Sequence, residues 1–134
     1  MDPLEFLEEL WAVEEDLKII KERSAIWLSA CGAVREILAT PFILGQQVKD
    51  LYQKIDKQYE EFVKKDELQF KDCVSVKNRL LELKQEEQCG PIERQIIDVH
   101  EKFVKEMLEL CGQTREAICN KITEKKRYLA AWLL

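Results

Sequence analysis

The chain has 134 residues, of which 46% are hydrophobic and 35% charged, with four glycines and three prolines. This length suits one domain with its own core, and so many charges with so few helix breakers favour long helices over short strands. The net charge of -5 and the pI of about 5.1 disfavour nucleic acid as a partner, because its phosphates would be repelled.

The first stretch of the chain predicts a helix over about residues 3–39. Asp2 suits the N-cap with Glu5 three residues later, and Pro3 suits the first helical position. Pro41 ends the helix, since the residue before a proline avoids the helical conformation. The apolar seam alternates in steps of four and three, which is typical of helices packed on other helices. The seam residues are Phe6, Leu10, Val13, Leu17, Ile20, Ser24, Trp27, Cys31, Val34 and Leu38.

A second helix is predicted over about residues 45–88. Its seam has the same spacing, but Asp66 and Gln69 occupy two positions in the middle and predict a weak or wet layer, with a bend there left open. The break at Cys89-Gly90-Pro91 predicts the next corner, with Gly90 as a left-handed C-cap and Pro91 opening the following helix.

A third helix is predicted over about residues 91–133. The seam expected for it is Ile92, Ile96, Val99, Phe103, Met107, Leu110, Thr114, Ala117, Ile118, Ile122, Leu129 and Trp132. Two short connections between long helices predict an up-down-up order. The expected fold is all-α: a single domain over residues 1–134, an elongated antiparallel three-helix bundle with coiled-coil-like packing, with a dimer as an open alternative.

Two glycines lie inside predicted helices and form a faint internal repeat. Residues 28–36 and 108–116 both have the pattern L-x-x-C-G-x-x-R-E, which places Gly32 and Gly112 in equivalent positions. Glycine costs a helix about 1 kcal/mol relative to alanine. One interpretation is a thin region where helices approach closely or a partner helix docks; the other is that both glycines occupy tolerated, exposed positions.

The residues that would carry catalysis or bind a metal are sparse. His100 is the only histidine, and no glutamate stands three residues before it as in bundle di-metal sites. The five cysteines form no C-x-x-C pair, and no glycine-rich phosphate loop is present. We therefore expect no enzyme, no metal and no cofactor. Reduced cysteines used as core residues fit a cytoplasmic or nuclear protein, and the acidic N-terminus has no signal-peptide pattern.

Candidate partner-binding residues are apolar or aromatic groups beside the seams, together with the two glycines. Trp11 flanks the first seam with Ile19 and Ile26, and tryptophan is enriched at interface hot spots. A basic run, Lys125 to Arg127, precedes an apolar C-terminal run that holds Tyr128, Leu129, Trp132 and Leu133. Three interpretations of this run stay open: a helix that continues in a longer protein, docking on the bundle or on a second copy, or contact with a membrane surface.

The most economical functional hypothesis is a non-enzymatic interaction module, a helical adaptor or scaffold subunit of a larger intracellular assembly of cytoskeletal, kinetochore or vesicle-tethering type. Its partners would present helices to apolar-edged grooves. The alternative is a peripheral membrane or lipid-binding helical protein that uses the C-terminal run, although the charges and Pro41 within residues 25–44 disfavour a membrane-spanning helix.

Overall fold

The computed structural model describes residues 1–40 and 46–131. Within these ranges the chain forms three helices and no strand, so the all-α prediction is confirmed. The helices are α1 (Pro3–Leu38), α2 (Gln46–Lys84) and α3 (Pro91–Ala130). The predicted break at Pro41 and the predicted start of helix 2 at residue 45 lie outside the described residues.

A reciprocal capping box starts α1. The Glu5 backbone N–H donates to Asp2 Oδ1 at 2.9 Å, and the Asp2 N–H donates to Glu5 Oε2 at 3.4 Å. The hydrogen bond from Glu5 is the main cause that lowers the pKa of the Asp2 carboxyl. These bonds satisfy two backbone groups that have no partner inside the helix, and Pro3 is the first helical residue, as the sequence predicts.

The corner between α2 and α3 begins earlier than the sequence predicts. Helix α2 ends at Lys84 rather than near residue 88, because the next N–H groups bond three residues back, as from Gln85 to the Glu82 carbonyl at 3.1 Å. Arg94 Nη2 donates to the Lys84 carbonyl oxygen at 3.3 Å. The prediction of a left-handed cap at Gly90 is wrong, since its backbone lies outside the left-handed region. Pro91 opens α3 as expected.

The chain divides into two compact units, and each helix contributes a segment to both. The first unit is Met1–Ser24 with Leu68–Cys111, and the second is Ala25–Glu67 with Gly112–Leu134. In the first unit, Asp16 pairs with Arg79 and Arg23 pairs with Asp72. Along α1 the residue numbers rise from 16 to 23, while those of their partners in α2 fall from 79 to 72. The two helices therefore run in opposite directions in this unit. Its core is Phe6, Leu10, Val13, Leu17, Ile20, Cys73, Val76, Leu80, Leu83, Ile97, Val104, Met107 and Cys111.

In the second unit the contacts between α2 and α3 also run in opposite order. Asp56 pairs with Lys126, and Tyr59 Oη lies 2.7 Å from Cys119 Sγ. The core of this unit is Trp27, Ala30, Cys31, Val34, Val48, Leu51, Ile55, Phe62, Ile118, Ile122 and Leu129.

The predicted seam of α3 is wrong at four positions in the first unit, whereas Met107 is buried as predicted. Ile92, Ile96, Val99 and Leu110 are exposed, and the buried residues are Ile97, Val104, Met107 and Cys111. The first half of α3 therefore has two apolar stripes about one residue out of register. Only one stripe can face the core, so the other is left on the surface.

Candidate partner-binding surface

Three exposed apolar side chains lie on one face of α1 in the first unit. Leu4, Leu7 and Trp11 follow one another at helical spacing, and Trp11 is 65% exposed. They lie outside the buried seam that starts at Phe6 and Leu10. Trp11 is therefore accessible to a partner, as the sequence predicts, and Leu4 and Leu7 are its apolar neighbours on the same helix.

The second stripe of α3 supplies three more exposed side chains. Ile92 is 71% exposed and Val99 68%, with Ile96 between them. Sequence reasoning missed these residues as a surface because it assigned them to the core. The signal that could have found them is the adjacent pair Ile96-Ile97, since neighbouring residues on a helix cannot both lie at the centre of one seam.

Two contacts place these stripes of α1 and α3 side by side. The carboxylate of Glu14 lies 3.3 Å from Nε2 of His100, and the Lys21 ammonium lies 5.0 Å from the centre of the Phe103 ring. The residue numbers of the contacting residues rise together along α1 and α3, so the two helices run parallel in this unit. Glu14 is one turn beyond Trp11, and His100 is one turn beyond Ile96, so Trp11 and Ile96 lie at similar heights.

We call the resulting set the α1–α3 apolar surface. Its members are large apolar side chains exposed along the edge shared by α1 and α3 in the first unit. They are Leu4, Leu7, Trp11, Ile92, Ile96 and Val99. At roughly 100 Å² for a fully exposed side chain and exposures between 37% and 71%, the surface measures roughly 400 Å², within the range for the largest apolar patch on a monomer.

Ile19 lies on a different edge of α1 from Trp11. It lines a cavity of about 170 Å³ with Arg23 of α1 and with Asp72 and Val76 of α2. The ion pairs of Arg23 with Asp72 and of Arg79 with Asp16 cross this edge. Trp11 and Ile19 therefore do not form one groove, although both are exposed.

The candidate residues on α1 and α3 in the second unit are also exposed. Ile26 is about half exposed, and both Gly32 and Gly112 are at the surface. A Cβ atom built on either glycine would have no heavy atom of the described residues within 4 Å, apart from the backbone of its own helix and its chain neighbours. The interpretation that these glycines allow close approach between helices of this chain is therefore wrong, because there is no crowded neighbour to avoid. Docking of a partner helix there stays a prediction.

The C-terminal candidates differ from one another. Tyr128 is about half exposed and lines a cavity of about 500 Å³ with Leu38 and Lys125. Leu129 is fully buried, so its prediction as a contact residue is corrected: the side chain is packed inside the second unit. Trp132 and Leu133 lie outside the described residues.

A buried polar cluster lies in the second unit. Asp66 is only 2% exposed; it accepts a hydrogen bond from Trp27 Nε1 at 2.8 Å, and its Oδ2 lies 3.8 Å from Arg115 Nη1. Arg115 Nη2 also donates to Glu67 Oε1 at 3.3 Å. Burial, and then the nearby Asp66 carboxylate, raise the pKa of the Cys31 thiol. At the predicted wet layer, the Asp66 side chain is therefore buried, with one carboxylate oxygen hydrogen-bonded to Trp27 and the other facing the Arg115 guanidinium.

The other predicted polar position, Gln69, lies in the first unit. Its side-chain nitrogen donates to the Ile20 carbonyl oxygen at 2.8 Å and to Ser24 Oγ at 3.3 Å. These partners explain how an amide that is 2% exposed is tolerated in the core. Both polar seam positions are therefore satisfied by contacts inside their own units.

The part of the chain that the structure describes contains no group of three His, Cys, Asp or Glu side chains that could hold a metal ion. In the same ranges, none of the helices has a segment apolar enough to cross a bilayer. The chain matches no family model, no curated protein and no solved structure.

Proposed function

We propose that the chain is a non-enzymatic protein–protein interaction module, a helical adaptor or scaffold subunit of a larger assembly. The single observation that carries the proposal is the α1–α3 apolar surface of the first unit. Six large apolar side chains on one edge form an extended patch, and patches of this kind mark interaction sites.

The finer architecture belongs to the same proposal: an elongated up-down-up bundle with coiled-coil-like packing. Opposite contact order between α1 and α2 in the first unit, and between α2 and α3 in the second, supports the antiparallel arrangement. The four-three spacing of buried residues in α1 supports the packing mode. A homodimer remains an alternative, and light scattering at several protein concentrations distinguishes it from a monomer.

The proposed compartment is the cytoplasm or the nucleus. Within the described residues, Cys31, Cys73, Cys89 and Cys119 form no disulfide, and Cys31, Cys73 and Cys111 are buried as small apolar residues. This use of cysteine is common where glutathione keeps thiols reduced.

The test is affinity capture from a cell lysate with the whole chain and with Trp11→Glu. We expect the wild type to retain specific proteins that Trp11→Glu loses, because a charge at the centre of an apolar contact is costly to bury. Leu81→Glu is the matched control, since Leu81 is an exposed apolar residue on α2 in the same unit. Wild-type captures no different from bare resin, or equal losses in both variants, would contradict the proposal.

The membrane alternative depends on residues 125–134, part of which the structure does not describe. Co-sedimentation with anionic liposomes, with and without this run, tests it separately. Binding that disappears on truncation would favour the alternative.

A further inference from the structure

We propose that the α1–α3 apolar surface binds a basic amphipathic helix as a fourth helix beside α1 and α3. This inference rests on the proposed function and specifies its partner by chemistry. The proposal is supported by the shape of the surface and by the charge beside it.

The shape of the surface suits a helix. In the first unit α1 and α3 run parallel along this edge, as the contacts of Glu14 with His100 and of Lys21 with Phe103 show. Two parallel helices leave a groove in which a further helix can lie, as in four-helix bundles. The exposed stripe of α3 also has steps of four and three from Ile92 through Ile96 to Val99, which is the spacing that receives the side chains of a packed helix.

The charge on the α1 side of the surface is acidic and favours a basic partner; the α3 side is mixed, with exposed Lys102 three residues after Val99. The first 17 residues carry seven acidic side chains and no basic one: Asp2, Glu5, Glu8, Glu9, Glu14, Glu15 and Asp16. Glu8 and Glu15 stand three before and four after Trp11, so both lie next to it on the helix surface. Both are exposed. Among the described residues neither forms an ion pair, so their charges are available to lysine or arginine on a partner.

The acidic charge of α1 also argues against two other occupants of this surface, a second copy of the chain and an anionic membrane. A second copy docking through the same surface would bring two acidic α1 segments together, and opposed like charges are unfavourable. A membrane surface with anionic lipids would be repelled for the same reason.

The probe that tests this inference is a synthetic three-heptad peptide with leucine at the a and d positions and lysine at the flanking positions, labelled with fluorescein. Two matched peptides replace every lysine by glutamate or every leucine by serine. Fluorescence anisotropy with the whole chain at low and at physiological salt measures each affinity.

We expect the lysine peptide to bind and both matched peptides to bind at least tenfold more weakly. Trp11→Ser and Val99→Ser should each weaken binding about tenfold, as truncation of a hot-spot residue does. The double variant Glu8→Gln with Glu15→Gln should weaken binding about threefold and reduce its salt dependence. Leu81→Ser is the control and should leave the affinity unchanged, and circular dichroism confirms that each variant is helical.

Four outcomes would overturn the inference. They are equal binding of the lysine and glutamate peptides, equal losses in Leu81→Ser and Trp11→Ser, a dimer that Trp11→Ser dissociates, and binding to phosphatidylserine vesicles that Trp11→Ser abolishes. If the lysine peptide fails while the lysate capture still depends on Trp11, the interaction module stands and only its partner chemistry is wrong.

Discussion

The two units of this chain depart from the usual distribution of polar and apolar residues in opposite ways. The second unit buries a carboxylate, since Asp66 is 2% exposed and accepts a hydrogen bond from Trp27. The first unit exposes apolar residues, with Trp11 65% accessible beside Ile96 and Val99. The first unit also buries the amide of Gln69, but this group carries no charge.

The buried polar cluster of the second unit concerns the stability of the fold, whereas the exposed apolar residues of the first unit concern the proposed binding of a partner. Burying a charge is costly unless other groups satisfy it, and in the second unit Trp27 and Arg115 both face Asp66. That departure is explained by contacts inside the unit. The exposed side chains of the first unit are not covered by their own unit, and the proposed partner would cover them.

The largest effect is expected from replacing the buried tryptophan. Trp27→Phe removes the donor to Asp66 Oδ1, and leaving a buried acceptor unsatisfied costs about 1–3 kcal/mol. Urea unfolding followed by circular dichroism should show a lower midpoint with an unchanged slope. The matched control is Trp11→Phe in the first unit, for which we expect a change within about 0.5 kcal/mol.

A double-mutant cycle sharpens this comparison. Asp66→Asn combined with Trp27→Phe should be less destabilising than the sum of the single changes, because the two residues share a hydrogen bond. Equal free energies of unfolding for Trp27→Phe and Trp11→Phe would show that the buried cluster contributes no more than an exposed ring does.

A smaller and opposite effect is expected at the two glycines of the second unit. Gly32→Ala and Gly112→Ala should each stabilise the chain by about 0.5–1 kcal/mol, because alanine loses less backbone entropy in a helix and its Cβ meets nothing within 4 Å. Thermal unfolding of the single and double variants measures the gain. Gly90→Ala, outside the helices, is the control: its Cβ would lie 2.8 Å from Glu93 Oε2, the end of a flexible side chain that can move aside, so no gain in helix stability is expected there. A loss of stability at Gly32 or Gly112 would mean that something else occupies the space beside it.

The sequence predicts most where one pattern dominates. Helix α1 has a single stripe with four-three spacing, and eight of its ten predicted seam positions are buried, Ser24 and Leu38 being half-buried. In α3 the adjacent residues Ile96 and Ile97 offer two seams of similar quality. The choice between them depends on which side α1 and α2 occupy, a long-range fact that a local pattern does not contain. The accessibility of Trp11 could be predicted from its place beside the seam, but the surface around it could not, since half of that surface had been assigned to the core.

The smallest difference between the units is expected in the rates at which their buried cysteines react with a water-soluble reagent. Burial and the nearby Asp72 raise the pKa of Cys73 in the first unit to about 11, and burial together with Asp66 raises that of Cys31 in the second. The thiolate is the form that reacts with iodoacetamide. A raised pKa keeps each thiol protonated at neutral pH, and for Cys73 the thiolate becomes abundant only as the pH approaches 11.

Mass spectrometry of the native chain at pH 8 should therefore show that both are alkylated at least tenfold more slowly than half-buried Cys89, whereas in urea all five cysteines should react at similar rates. If Cys31 were labelled as fast as Cys89 while Cys73 stayed protected, water would reach the buried cluster of the second unit. Asp66 would then owe its tolerance to solvent rather than to Trp27 and Arg115.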